Sequence, residues 1–264
     1  MRIDKFLAER GDYPSRSKAR EAIDRGEVLI DGVPARPSSE VSAASEIRLL
    51  TDAGGFVSAG GAKLQKALSD FGFSPRGMVF ADIGASTGGF TDCLLKNGAA
   101  RVYAVDVGVS QLHPRLAGDP RVTVCDRTNA RYLTRDFFLE PLDGAVMDVS
   151  FISAKLLMPA VCGILEEGCP FLSLLKPQFE CEERIRLKNG IVRDEKLRLK
   201  ICEGIYDFAV SCGLSPQKFT TAPLCEGKNT EYLMLFTKGG AIRLEKDALY
   251  CEVMKKIKKF LHKS

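Results

Sequence analysis

Apolar and polar positions alternate along this chain in two different styles, and the change of style comes near residue 50. In the first part the blocks are short. From Arg2 to Glu9, Ile3, Phe6 and Leu7 fall on one helical face. In SRSKAREAIDRG, Ala19, Ala22 and Ile23 form the stripe of a second helix, with Ser15 placed to cap it and Gly26 to stop it. VLIDGVPA predicts two short strands joined at Asp31-Gly32, a two-residue hairpin signal. EIRLL, residues 46–50, predicts one more strand. Helix, helix and hairpin in so little chain bury only a small core, so residues 1–50 form a compact module. TDAGGFVSAGGA, residues 51–62, is small and glycine-rich and reads as a linker.

From Lys63 the blocks lengthen, and residues 63–264 read as one larger domain ending in a basic helix. KLQKALSDF is amphipathic, with Leu64, Ala67, Leu68 and Phe71 on one face. Seven strand-like segments follow: 78–83, 101–107, 121–125, 144–149, 170–176, 218–222 and 231–237. Helical patterns lie between several of them, clearest in AKLLMPAVCGILEE and EKLRLKICEGIYDFAV. The first five strands are continuous apolar runs, as strands covered on both faces are. This predicts a doubly wound α/β sheet, which binds ligands beyond the carboxyl ends of its strands.

Composition removes several classes of function. No apolar run approaches the length of a membrane span, and MRIDKFLAERGDYPSRSK is charged from its start, so neither a span nor a signal peptide is expected. Nine cysteines without a C-x-x-C pair read as reduced thiols of a cytoplasmic protein. The two histidines, His113 and His262, have no nucleophile motif beside them. That argues against a Ser-His-Asp triad or a multi-histidine metal site, and no metal is expected. Chemistry falls to Lys, Asp, Glu or a cofactor.

A net charge of +4 makes clustering decisive. Residues 1–50 hold nine Lys/Arg against nine Asp/Glu, but Arg16, Lys18, Arg20 and Arg25 gather on the second helix. A solvated helix face and a phosphate-tracking surface both fit that cluster.

The strand ends carry the candidate chemistry. The first strand of the sheet runs into DIGASTGGFTD, where Asp82 precedes Gly84, Ala85, Ser86, Thr87, Gly88, Gly89 and Phe90. Glycines there let backbone approach a ligand, and the following helix aims its N-terminus at the same place. The acid comes first, unlike the dinucleotide pattern G-x-G-x-x-G. Asp106 ends the second strand, 18 residues after Gly88, and suits ribose hydroxyls. Asp126 and Asn129, in CDRTNAR, stand where a base edge would be met; Asp148 ends the fourth strand. The fifth, FLSLLKPQFE, ends in Lys176, with Pro177 turning the chain. A lone lysine of this kind is commonly a snorkelling one whose stem packs and whose head reaches water. Its place at a strand tip among other polar strand ends favours a functional amine. Lys63 is readable as an ordinary first-turn helix lysine.

The acid-first loop and seven strands resemble the S-adenosylmethionine-dependent methyltransferase fold, which implies that cofactor and an antiparallel seventh strand between strands 5 and 6. Lys63, Asp148, Lys176 and Glu231 resemble the K-D-K-E tetrad of FtsJ-like ribose 2′-O-methyltransferases. The N-terminal run R-x-D-K-F-L, then S-R-S-K-A-R-x-x-I-x-x-G-x-V-x-I-D-G, resembles the S4 RNA-binding domain and implies RNA contact by Arg16, Lys18 and Arg20. VSAGGAKL, DIGASTGGFTD, DRTNAR, MDVSFIS, LLKPQFE, NGIVRD and NTEYLML, in that order over residues 1–240, are similar to the blocks of the TlyA family.

That resemblance implies methylation of a cytidine ribose in 23S rRNA of the 50S subunit, and of 16S rRNA in some members, with ribosomal subunits as partners. The start of the chain close to the first S4 helix leans towards the large-subunit group. The resemblance further implies that a neutral Lys176 takes the hydroxyl proton. Partial burial and the ammonium of Lys63 favour the neutral amine, Asp148 opposes them while orienting Lys176, and Glu231 fixes Lys63 or the ribose. The chain departs from the family at Ala59, where an arginine is expected, and carries Phe56 where some relatives carry Trp. The family also bears a hemolysin label, and only the tail, EVMKKIKKFLHKS, speaks for a membrane-active protein; that tail equally fits RNA contact or packing on the domain. A non-catalytic RNA-binding assembly factor is the third reading.

Overall fold

The computed structural model describes residues 1–10, 12–13, 15–24, 28–42, 44–49, 55–181, 187, 190–224 and 227–254. Gly26, Arg25, Leu50, linker residues 51–54, Asn189 and the tail positions Ile257, Phe260 and Leu261 lie outside the described residues.

The N-terminal module contains α1 (Ile3–Glu9), α2 (Arg16–Asp24), β1 (Val28–Ile30), β2 (Val33–Pro34) and β3 (Ile47–Leu49), with the antiparallel strand order β2-β1-β3. Ile3, Leu7, Ala19, Ala22, Ile23 and Val28 are buried together as its core, and Phe6 only packs at the edge. Asp31 and Gly32 both adopt positive φ, 51° and 79°, as a type I′ hairpin turn requires. Ser15 Oγ accepts the Lys18 amide at 3.3 Å, the expected cap of α2. Ser15→Ala should therefore cost about 1 kcal/mol, read as a lower denaturant midpoint for the full chain.

The larger domain is a seven-stranded sheet in the order β6-β5-β4-β7-β8-β10-β9. Its strands are β4 (Val79–Ile83), β5 (Arg101–Val105), β6 (Val122–Cys125), β7 (Gly144–Met147), β8 (Pro170–Leu175), β9 (Leu214–Thr221) and β10 (Tyr232–Lys238). The pairs among β6, β5, β4, β7 and β8 are parallel, while β10 runs antiparallel to both β8 and β9. The family resemblance implies an antiparallel seventh strand between the fifth and sixth, and β10 stands there. Alternate strand residues face two cores. Phe80, Val102, Val146 and Leu172 pack under α3 (Ala59–Phe71), α4 (Gly89–Lys96) and α5 (Pro114–Ala117). Ala81, Tyr103, Met147 and Phe171 pack under α6 (Met158–Ile164), α8 (Glu195–Ser211) and α9 (Lys246–Met254). A short helix, α7 (Pro177–Glu180), follows β8 directly.

Three elements differ from expectation. β9 begins at Leu214, four residues early, and contains Pro216. It is an edge strand, where a missing N–H is tolerated, and its pairing shifts register between Leu235 and Phe236. AKLLMPAVCGILEE divides into a 3₁₀ turn at Ala154–Leu156 and α6, with Pro159 in the first turn of α6. Finally α3 begins at Ala59, so Lys63 sits beyond its first turn. Alanine and glycine at 59–62 are weak helix signals, but the close approach of two helix starts holds them. A Cβ on Gly89 would meet Ser58 Oγ at 2.3 Å and the Gly61 amide at 2.9 Å.

The residues just before α3 are likewise packed. Phe56 is buried, Lys96 lies 4.8 Å above its ring, and Val57 donates its amide to buried Asp92 at 2.9 Å. Asp92 also takes Lys96 at 3.0 Å and Arg115 at 3.2 Å.

Candidate active site

Strand register alone builds the site. Val105 pairs with Cys125, Ile83 with Val105, and Ile83 with Met147, so one step further along stand Asp126, Asp106, Gly84 and Asp148 in a row. In the antiparallel pair Tyr232 faces Leu175, and one step further Glu231 lies across from Lys176. Every strand-end residue singled out in the sequence therefore comes to one edge of the sheet.

Two lysine–carboxylate pairs occupy the β7–β8–β10 half. Lys176 Nζ lies 2.5 Å from Asp148 Oδ1 and donates to Ser150 Oγ at 2.8 Å. Lys63 Nζ lies 2.6 Å from Glu231 Oε2. The first turn of α3 leans on the first pair: a Cβ on Gly60 would stand 3.4 Å from Asp148 Oδ2. The four residues thus form one cluster contributed by α3, β7, β8 and β10. Lys176 is buried, 9% exposed, so its head does not snorkel into bulk solvent; it ends among Asp148, Ser150 and the Phe179 ring, 5.9 Å away. Burying an ammonium needs such partners.

The β4–β5–β6 half forms a polar cradle. Gly84 has φ 80°, and a Cβ there would stand 2.8 Å from the Asp148 carbonyl, so only glycine lets the loop pass this close. Ser86, at φ 49°, gives its amide to Asp106 Oδ2 at 2.8 Å, and Gly108 gives its own to Asp106 Oδ1 at 2.7 Å. Asp126 Oδ2 takes the Ser110 amide at 2.7 Å, and Asn129 Oδ1 caps the turn at Arg131. Ala85 and Phe90 are buried in the core, so they serve the loop through backbone, while Thr87 accepts the His113 amide and Gly88 opens α4.

Asp82 is fully buried behind this loop. Thr91 donates to its Oδ2 at 2.6 Å, and Oδ1 has no hydrogen-bond partner among the described residues. Burial, reinforced by the charges of Asp148 and Asp106 and opposed by the Thr91 bond, pushes its carboxyl up to about 7. A buried acid with an orphaned oxygen, beside two further acids and a helix N-terminus, fits a ligand carrying both an ammonium and a carboxylate. The amino-acid end of S-adenosylmethionine is such a ligand, and each oxygen of Asp106 keeps acceptor capacity beyond the one backbone amide it takes.

The three basic residues of α2 diverge. Arg16 pairs with buried Asp4 at 3.1 Å, beside Arg2 at 2.9 Å. Burial raises the Asp4 carboxyl, but the two guanidinium bonds outweigh it and hold the group below its ordinary value. Lys18 Nζ reaches Gln111 Oε1 of the larger domain at 2.8 Å, in the loop that follows Asp106. Arg20 is exposed. Sequence reasoning missed Gln111 and the loop Ser150–Ser153, whose residues lack any periodic signal. Phe151, 84% exposed with φ 66°, stands in that loop with its ring 5.1 Å from Phe179. Among the described residues no group of three or more His, Cys, Asp or Glu is placed to hold a metal ion, and no helix is long and apolar enough to cross a membrane.

Sheet order, cradle and lysine cluster together define a methyltransferase of the S-adenosylmethionine-dependent class. Residues 56–238 match the FtsJ-like methyltransferase model and residues 1–47 the S4 domain model. The 16S/23S rRNA (cytidine-2′-O)-methyltransferase TlyA of Mycobacterium tuberculosis is 39% identical over 236 residues, 88% of each chain. Hemolysin A of Brachyspira hyodysenteriae is 38% identical over 239 residues, 89% of this chain and 99% of that one. A solved structure from Streptococcus thermophilus, described as a hemolysin, superposes with a TM-score of 0.77 at 35% identity, covering 99% and 98% of the two chains. The chain belongs to the FtsJ-like methyltransferases and, among them, to the TlyA family.

Proposed function

We propose that this chain methylates the ribose 2′-hydroxyl of a cytidine in ribosomal RNA, in the cytoplasm, with 23S rRNA of the 50S subunit as the first candidate substrate and 16S rRNA as the second. The observation that carries the reading is the buried Lys176–Asp148 pair at the strand edge, one step from the cofactor cradle.

S-adenosylmethionine, held by Asp82, the 84–90 loop, Asp106, Asp126 and Asn129, supplies an electrophilic methyl group. Everything else falls to the protein. A ribose hydroxyl is a poor nucleophile until its proton is accepted, and Lys176 Nζ, as the neutral amine, is the acceptor. Asp148 orients that amine. Glu231 holds Lys63 at the opposite side of the cluster. Alignment of hydroxyl and donor supplies much of the remaining acceleration. Phe151, on a positive-φ backbone in the loop beside Lys176, presents a solvent-facing ring, a stacking surface for an unstacked base. Phe151→Ala should lower kcat/KM for RNA about tenfold, as the loss of one base–aromatic stack does, without changing cofactor affinity.

The N-terminal module, residues 1–50, grips structured RNA through the α2 face, with Arg20 displayed and Lys18 at the seam with the larger domain. The hemolysin label of some relatives is not the reading favoured, because the glycine loop and the two lysine–carboxylate pairs at the strand edge serve methyl transfer. A tritiated cofactor offered with unmodified 50S and 30S subunits tests the substrate. Label should enter rRNA of one or both. Cofactor binding without label on either would refute ribosomal RNA as substrate.

A further inference from the structure

A base must do more than lose a proton; its lone pair must face the group it deprotonates. The neutral amine of Lys176 has two N–H bonds and one lone pair. The structure gives that amine two oxygen neighbours, Asp148 Oδ1 at 2.5 Å and Ser150 Oγ at 2.8 Å. If both N–H bonds are taken up by these oxygens, the lone pair is left for the ribose hydroxyl. With Asp148 alone, the terminal C–N bond rotates and the lone pair sweeps over a full turn.

Ser150 is exposed, yet it is not loosely held. Its loop is fastened to α7, the helix that Lys176 itself opens. Glu180, the last residue of α7, accepts the Ser153 hydroxyl through Oε2 at 2.5 Å and the Ala154 amide through Oε1 at 2.7 Å. Phe151 and Phe179 meet between these anchor points. The contacts close a ring: Lys176 to Ser150, along the loop to Ser153, across to Glu180, and back through one turn of helix.

We infer that Ser150 is a positioning residue that aims the Lys176 amine, and that Glu180 holds Ser150 in place. This rests on Lys176 being the proton acceptor.

The test measures methyl transfer by wild type, Ser150→Ala, Ser150→Thr, Glu180→Ala, the Ser150→Ala/Glu180→Ala double variant and Lys176→Ala, from pH 6.5 to 9.5, with cofactor affinity and thermal midpoint recorded for each. A misaimed base should lower kcat of Ser150→Ala about tenfold to a hundredfold. KM for RNA and cofactor affinity should stay unchanged, and the deficit should be the same at every pH. Ser150→Thr, which keeps the hydroxyl, should recover most of the rate. The double variant should be no slower than the slower single variant, because both changes break one ring. Wild-type kcat in Ser150→Ala would overturn the inference. So would a deficit confined to KM, or one that vanishes at high pH, which would make Ser150 a control of protonation rather than direction. An active Lys176→Ala would instead overturn the assignment of the base, and so separates the two failures.

Discussion

Lys176→Ala is expected to lower kcat for methyl transfer by about 10²–10⁴-fold, the usual worth of a positioned general base. Cofactor affinity should hold, because Lys176 stands outside the cradle of Asp82, Asp106 and the glycine loop. The informative companion is Lys176→Arg. A guanidinium keeps the charge and the partnership with Asp148 but does not give up its proton. If Lys176 served only to hold Asp148 or to attract RNA, arginine would recover much of the activity. As proton acceptor it has no such substitute, and Lys176→Arg should be as slow as Lys176→Ala. Single-turnover rates with saturating cofactor make the comparison, and a Lys176→Arg rate near wild type would refute the role.

The second large effect belongs to Asp82, through pH. Its carboxyl is pushed up to about 7, so in the free protein it is mainly neutral below that pH and charged above it. A ligand ammonium beside the orphaned Oδ1 favours the charged form. Affinity for S-adenosylmethionine should therefore climb as pH rises, by up to about tenfold per pH unit, and level off above about 7. Asp82→Asn should show a flat profile and bind weakly throughout. Stability of the cofactor-free protein runs the other way. A folded-state value above the ordinary 3.8 means that the native state holds a proton the unfolded chain has released. The stabilisation is complete below about 4 and is lost by about 7, of the order of 4 kcal/mol in total. Asp82→Asn should remove that slope and make the cofactor-free protein more stable than wild type at pH 8. Titration calorimetry and denaturant melts over pH 5–8 read both effects. Parallel profiles for the two proteins would place the titrating group elsewhere.

The sheet was legible because β4, β5, β7 and β8 are buried on both faces and must be written in apolar runs; β6, at the sheet edge, is only partly covered, with Val124 exposed, and its apolar run overstated its burial. The strand-end acids were legible because that sheet offers its ligand edge at only one place. What escaped the sequence has specific causes. The first turn of α3 is Ala-Gly-Gly-Ala, whose local preference opposes helix and whose helical form depends on the contact of Ser58 and Gly61 with Gly89. β9 runs through Pro216, readable as a break until the strand is known to be an edge. Ser150, Phe151 and Glu180 lie on a loop and a four-residue helix, too short for any periodicity. Lys18 was legible only as part of the basic cluster implied to contact RNA, and its bond to Gln111 joins residues far apart in the chain.

The most direct measurement is the chemical position of the transferred methyl group. Ribosomal RNA labelled by this protein from tritiated S-adenosylmethionine would be hydrolysed in alkali and its products separated. A 2′-O-methyl group blocks attack of that oxygen on the neighbouring phosphate, so the account predicts label in alkali-stable dinucleotides beginning with methylated cytidine. Label released in mononucleotides would place the methyl group on a base and contradict Lys176 as the acceptor of a ribose proton.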